Sequence, residues 1–290
     1  MPNSAKASRA NAKEPAQERS LTRNGGLAAA AVYERVVDAD LAGVWENVFD
    51  WEHLPWLHDQ AFESIDLLDS GDWGWCAEIG FPGGGQATVE LVVDRASGQY
   101  VARTAEGAGA PSEIWTTLSP AMEAGDPARS TRIKVEFCVP KAEPAAMELI
   151  GKAYLAGYAQ LWDQDEEMMR VRAMRSSGEG ALASSDPPAP LDLGADSDLR
   201  SRVPMRFEWG GHPFRLVEQG GRLLAHSVEC SHWGGPLEEC AVSKGEIICP
   251  WHGYRFDVAL GRSSDGRNLR LRRAPQIVLD AASGHWMATN

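Results

Sequence analysis

Four residues between positions 230 and 252 have the types and spacing of a metal centre. Cys230 with His232, and Cys249 with His252, make two pairs in the pattern C-x-H-x16-C-x2-H. Each pair falls on a tight loop, where neighbouring side chains can reach one centre together. Two thiolates can hold one iron of a [2Fe–2S] cluster and two neutral imidazoles the other, which raises the potential above that of an all-thiolate cluster. A tetrahedral structural zinc is the rival, because two Cys and two His satisfy it as well. Zinc knuckles usually keep Cys pairs and His pairs separate, whereas each loop here contributes one of each.

The surroundings strengthen the iron–sulfur reading. Gly234-Gly235-Pro236-Leu237 follows the first pair, and the second sits in CPWHGYRFD, residues 249–257. Both stretches closely resemble the Rieske family, and the resemblance implies a cluster on Cys230, His232, Cys249 and His252. Respiratory members add a disulfide through a Cys late in each ligand loop. Gly235 and Trp251 stand at those positions here, so the chain is similar to the soluble ferredoxin and oxygenase branch. Cys240, between the loops, reads as a small loop side chain.

A second constellation is E-x3-D-x2-H-x4-H, residues 46–58. Glu46, Asp50 and His53 are spaced four and three apart and would share one helix face. His53 and His58 would point roughly 140° apart on an unbroken helix, but a bend at Pro55 can turn them toward a common point. Two imidazoles near a carboxylate suit a facial iron triad with open positions for dioxygen and substrate. The bland alternative is two helix histidines satisfied by local hydrogen bonds.

A carboxylate to complete the triad is expected from a long helix over residues 145–175. Its apolar stripe runs Met147, Ile150, Tyr154, Tyr158, Leu161, Trp162, Met168 and Met169. Asp165 falls in the middle of that stripe, Glu166 at its edge, and Asp163 and Glu167 on the far side. A buried ionised carboxylate is costly unless paired or metal-bound, which favours Asp165.

The motif is the one that ring-hydroxylating Rieske oxygenases carry in a START-like catalytic domain. The resemblance implies mononuclear iron on His53, His58 and Asp165, although register in the family's W-x-x-D-D variant would choose Glu166. It also implies that Asp50 hydrogen-bonds both an iron-site His and a cluster His, usually between subunits of a homotrimer. The domain order is reversed relative to the familiar oxygenases, where the Rieske domain comes first.

The elements that must position these residues follow from the pattern. A strand over 28–37 precedes a helical run from residue 41 that Asp40 can cap. Six strand-like segments follow between residues 61 and 139, several separated by Gly-rich turns. With the long closing helix, this is the order of the START-like helix-grip fold, so the expected class is α+β. A polar tail covers residues 1–27, the catalytic domain 28–176 and a linker 177–194. Residues 195–290 read as a small all-β Rieske domain of short strands and turns.

Formal charge is -13, which argues against nucleic acid and anionic membrane surfaces as partners. Residues 195–290 hold 12 basic and 11 acidic side chains, so the acid lies upstream. No apolar run approaches the roughly 20 residues of a membrane span. Cys76 and Cys138 read as buried free thiols, and nothing suggests a disulfide framework, which points to a reducing cytoplasm. No G-x-G-x-x-G loop is present, so NAD(P)H electrons would arrive through a separate ferredoxin or reductase. The expectation is an oxygenase that hydroxylates an apolar aromatic or polycyclic substrate, by mono- or dioxygenation. The alternative is a START-like ligand-binding module fused to a Rieske electron carrier or redox sensor without catalytic iron.

Overall fold

The computed structural model describes residues 19, 21–121, 130–177 and 188–290. Most of the expected tail, and residues 178–187 of the expected linker, lie outside the described residues.

The first half is built on one antiparallel sheet. After β1 (Leu27–Val37) come α1 (Leu41–Phe49), a 3-10 turn (Trp51–His53) and α2 (Leu54–Leu57). Asp40 caps α1 as expected, accepting from the Gly43 amide at 2.6 Å. The chain then runs up and down through β2 (Ser64–Gly71), β3 (Gly74–Gly80), β4 (Gln86–Asp94), β5 (Gln99–Gly107), β6 (Ser112–Pro120) and β7 (Thr131–Pro140). β1 returns to pair with β7, giving the order β1-β7-β6-β5-β4-β3-β2. In β7 the burial alternates, with Ile133, Val135 and Phe137 inside and Lys134 exposed, as a half-buried strand requires.

The inner face is closed by α3 (Pro144–Ser177). Close approach of α3 to β1 depends on Gly151, where a Cβ would stand 2.5 Å from the Ala30 carbonyl oxygen. Between sheet and helices lies a core that includes Val44, Trp45, Ile79, Leu91, Phe137, Trp162 and Met169. This is the helix-grip arrangement expected from the element order.

Arg19 and residues 21–26, assigned by composition to the tail, instead lie on the outer face of the sheet. The Arg19 guanidinium stacks 3.4 Å from the Trp73 ring centre and pairs with Glu90 at 2.9 Å. Arg23 lies over Trp115 and pairs with Glu136 at 2.8 Å, and Leu21 packs against the Val92, Val101 and Trp115 cluster. Cation–π stacking and ion pairing with strands far along the chain order a segment whose own composition is polar.

The second half is a small β domain of three three-stranded sheets. It contains β8 (Leu191–Ala195), the short helix α4 (Asp196–Arg202), β9 (Met205–Trp209), β10 (His212–Gln219) and β11 (Arg222–Ser227). Then follow β12 (Glu246–Ile248), β13 (Arg255–Asp257), β14 (Arg262–Ser263), β15 (Gln276–Leu279) and β16 (His285–Thr289). One expectation is corrected here. Residues 191–194, placed in the linker, form β8 because they pair with β16 near the far end of the chain. The domain is the small β domain expected, with the short helix α4 set against it and Leu199 buried in its core. Among the described residues no helix is long and apolar enough to cross a membrane.

Candidate metal centres

The two ligand loops face each other. In the first, the Cys230 amide donates to the Gly235 carbonyl at 2.9 Å, and the Gly234 amide returns to the Cys230 carbonyl at 3.1 Å. In the second, the Cys249 amide donates to the Tyr254 carbonyl at 2.9 Å, and the Gly253 amide to the Cys249 carbonyl at 2.9 Å. Gly234 and Gly253 take left-handed φ values of 74° and 67°, which tight loops of this kind require. Cys230, Cys249 and His252 are buried, and the His232 and His252 ring centres lie 4.6 Å apart.

These residues fit an iron–sulfur cluster. Nδ1 of His232 is buried without a hydrogen-bond partner, as an imidazole awaiting a metal would be. Burial, reinforced by neighbouring His252, holds His232 down to about 4, so its ring is neutral and can ligate. The Cys230 thiol donates a hydrogen bond to the Cys249 sulfur, raising Cys230 and favouring thiolate at Cys249. A Cβ on Gly235 would stand 2.5 Å from the Cys249 sulfur, so the loop leaves room only for glycine there.

The second candidate centre lies on the inner face of the first domain. His53, His58 and Asp165 are all buried, and their ligating atoms lie within 4.8 Å of one another. His58 Nε2 is 3.1 Å and His53 Nε2 3.4 Å from Asp165 Oδ1. The outer nitrogens differ: that of His58 is hydrogen-bonded, and that of His53 has only a charged neighbour. His58 Nδ1 meets Gln164 Oε1 at 2.8 Å, and His53 Nδ1 stands 3.3 Å from Asp50 Oδ2 without hydrogen-bond alignment. Asn47 Nδ2 donates to Asp165 Oδ1 at 3.1 Å, orienting the carboxylate. Ring orientation by outer partners of this kind is how metal sites fix their ligands. Burial alone would raise the Asp165 carboxyl, but hydrogen bonds with His53 and His58 hold it well below the usual range.

Helical phase separates the two acidic candidates on α3. Asp165 points into the grip, whereas Glu166 is taken by the Arg35 guanidinium and by the Asp38 amide at 2.8 Å. Glu46 also departs from expectation. α1 ends at Phe49 and Asp50 has φ -84° and ψ 82°, so Glu46, Asp50 and His53 do not share one helix face. Glu46 turns outward to Arg172 at 2.5 Å.

Asp50 joins the two centres within one chain. Its Oδ2 lies 2.7 Å from His252 Nε2 and 3.3 Å from His53 Nδ1. The His53 and His252 ring centres are 6.4 Å apart. Burial would push the Asp50 carboxyl up, yet the two imidazoles hold it well down as a carboxylate.

Residues that the sequence reading did not single out complete the seam. Tyr254 donates its hydroxyl to Glu52 at 2.5 Å, and Arg267 reaches Glu52 at 3.0 Å while lying 4.0 Å over the Tyr254 ring. Trp56 packs so closely on the second loop that a Cβ at Gly253 would stand 2.0 Å from its ring. Met168 of α3 is buried in the cluster-bearing core, with Leu57 and Val171 at its edge. The residues of this seam are too far apart in sequence for spacing to pair them.

Comparison with known proteins agrees with the second half. A family model described as the Rieske [2Fe-2S] domain matches residues 189–274. Apoptosis-inducing factor 3 of Mus musculus is 28% identical over 145 residues, 47% of this chain and 22% of that one. The chain therefore spans about a fifth of the length of that curated relative. Among solved structures, the ferredoxin of carbazole 1,9a-dioxygenase from Nocardioides aromaticivorans IC177 is 27% identical and covers 35% of this chain and 97% of that one, with a TM-score of 0.30. The Zhui aromatase/cyclase from Streptomyces sp. R1128 is 14% identical and covers 51% of this chain and 97% of that one, with a TM-score of 0.43. Residues 189–274 are a Rieske [2Fe–2S] domain, and such a domain implies the iron–sulfur cluster for which its two loops are shaped.

Proposed function

We propose that the chain is a Rieske-type non-haem iron oxygenase in which cluster and mononuclear iron work together inside one polypeptide. The observation that carries this reading is Asp50, a buried carboxylate lying between His53 of one candidate centre and His252 of the other. A structural pair of histidines has no need of such a link. His53, His58 and Asp165 would hold an iron that could activate dioxygen, and Cys230, His232, Cys249 and His252 would hold a cluster that could supply single electrons.

The chain's own residues do the positioning. Gln164 orients His58, Asn47 orients Asp165, and Asp50 holds the outer nitrogens of His53 and His252 in one electrostatic frame. Phe62, Phe81, Tyr154 and Tyr158 pack against the buried grip core. Aromatic surroundings of this kind support an apolar substrate, aromatic or polycyclic. Electrons come from a separate ferredoxin or reductase.

A second reading keeps the cluster but not the catalytic iron, and the name of the curated relative favours no oxygenase. Iron content separates them, about three per chain for the oxygenase and about two for a Rieske carrier fused to a binding module. The functional test is Asp50→Asn. It should keep both metal contents and slow electron transfer from reduced cluster to iron in a single turnover. Unchanged transfer at full metal content would overturn the role given to Asp50.

A further inference from the structure

We propose that an arginine-lined groove of the Rieske domain is the docking surface for an acidic one-electron carrier protein. The proposal rests on the reading above only in requiring electrons from outside the chain. The groove, about 740 Å³, runs between β11, the segment before β14 and the segment leading into β15. Arg222, Arg262, Arg270, Arg272 and Arg273 line it, all of them exposed. Among the described residues no Asp or Glu lines it. In a chain of net charge -13 this is a local reversal of sign. Five guanidinium groups without carboxylates between them repel one another, and an approaching acidic surface relieves that repulsion.

Two further observations select a protein over a small anion. Leu260 and Val278 line the same groove and stand 70% and 41% exposed. Exposed apolar side chains among arginines are the mixture that protein interfaces favour. The position is also right for electron entry. Arg272 and Arg273 continue into a neighbouring depression that reaches Cys230 and Ser231. The His252 edge of the loops is covered by Asp50 on His252 and Trp56 on Gly253. The Cys230 side thus offers an outside carrier a route that the covered His252 edge does not. In each encounter the reduced carrier loses one electron and the cluster gains one, and no bond or proton changes hands.

The test uses the full chain with its cluster. The probes are an acidic [2Fe–2S] ferredoxin and an acidic flavodoxin, with heparin and inorganic phosphate as competing anions. Binding and the rate of cluster reduction are measured against ionic strength for wild type, R272E/R273E and R222E/R262E. K141E/K152E on the other domain is the charge-matched control. We expect the control to match wild type. Each groove variant should bind at least tenfold more weakly at low salt, reduce correspondingly slowly and lose most of its salt dependence. The cluster's paramagnetic resonance signal should be unchanged. R222E/R262E, which leaves the residues flanking the Cys230 loop intact, keeps the test valid if R272E/R273E loses its cluster. Groove variants that behave as wild type would overturn the proposal. So would an equal loss in K141E/K152E, no binding of either carrier at low salt, or displacement by phosphate alone. None of these readouts needs mononuclear iron, so a chain without that iron would sink the oxygenase reading and leave this result standing.

Discussion

Without metal, the proposed mononuclear site should hold a proton on His53. Its side chain is 4% exposed and stands between the carboxylates of Asp50 and Asp165. Burial opposes the charged ring, but the two carboxylates outweigh it and push His53 from 6.5 up to about 9. At pH 7 the metal-free ring is therefore almost wholly protonated, and a metal binding at Nε2 must displace that proton. The competition spans about two pH units, roughly 2.7 kcal/mol or about 100-fold in apparent affinity. Affinity for Co(II) or Fe(II), measured anaerobically against a chromophoric chelator, should rise about tenfold per unit between pH 7 and 9 and then level off. Calorimetry in two buffers of different ionisation enthalpy should find His53 releasing close to one proton at pH 7. The same shift has a stability consequence of fixed sign. A raised pKa stabilises the metal-free fold fully below pH 6.5, and about 3 kcal/mol is lost as pH climbs through 9. Affinity that is flat from pH 7 to 9, or a slope that survives in His53→Gln, would refute the reasoning.

The remaining predictions concern single contacts. Gly253→Ala should lower stability by about 1–2 kcal/mol for its left-handed backbone and also slow transfer between centres, because the new Cβ meets Trp56 at 2.0 Å. Adding Trp56→Ala should restore the transfer rate but not the melting temperature, and failure of that rescue would disprove the steric account. Asp165→Asn should lose mononuclear iron and keep the cluster, whereas Glu166→Gln should keep both and lose at most about 1 kcal/mol from its pair with Arg35; iron analysis and thermal melts decide between them. His232→Cys should lower the cluster potential toward that of an all-thiolate cluster in a redox titration, and an unmoved potential would count against His232 as a ligand.

Local spacing made the cluster loops readable, because each pair is two or three residues apart and its turn chemistry travels with it. The buried position of Asp165 was readable for a related reason, since a helix carries its phase in the sequence and Asp165 fell in the middle of the apolar stripe. Glu46 misled because phase was extended past Phe49, where the chain leaves the helix. What could not be read depends on contacts between distant segments. Glu52 meets Tyr254 across 202 residues, and β8 exists only because β16 returns to pair with it. Arg19 and Arg23 sit in a polar segment whose order comes from Trp73 and Trp115 on the sheet. No periodicity in the segment itself announces such partners.

Met168 and Met169 are consecutive on α3, about 100° apart around its axis, yet they are buried in two different cores. One helix is thus a shared wall, and neither core can melt without exposing a side of it. A shared wall of this kind ties the stability of each half to the other. Unfolding that begins at the iron–sulfur loops draws on the stability of the grip, and a cavity opened in the grip loosens the loops. The consequence expected is coupled melting of the two domains in a thermal scan, not two separate transitions.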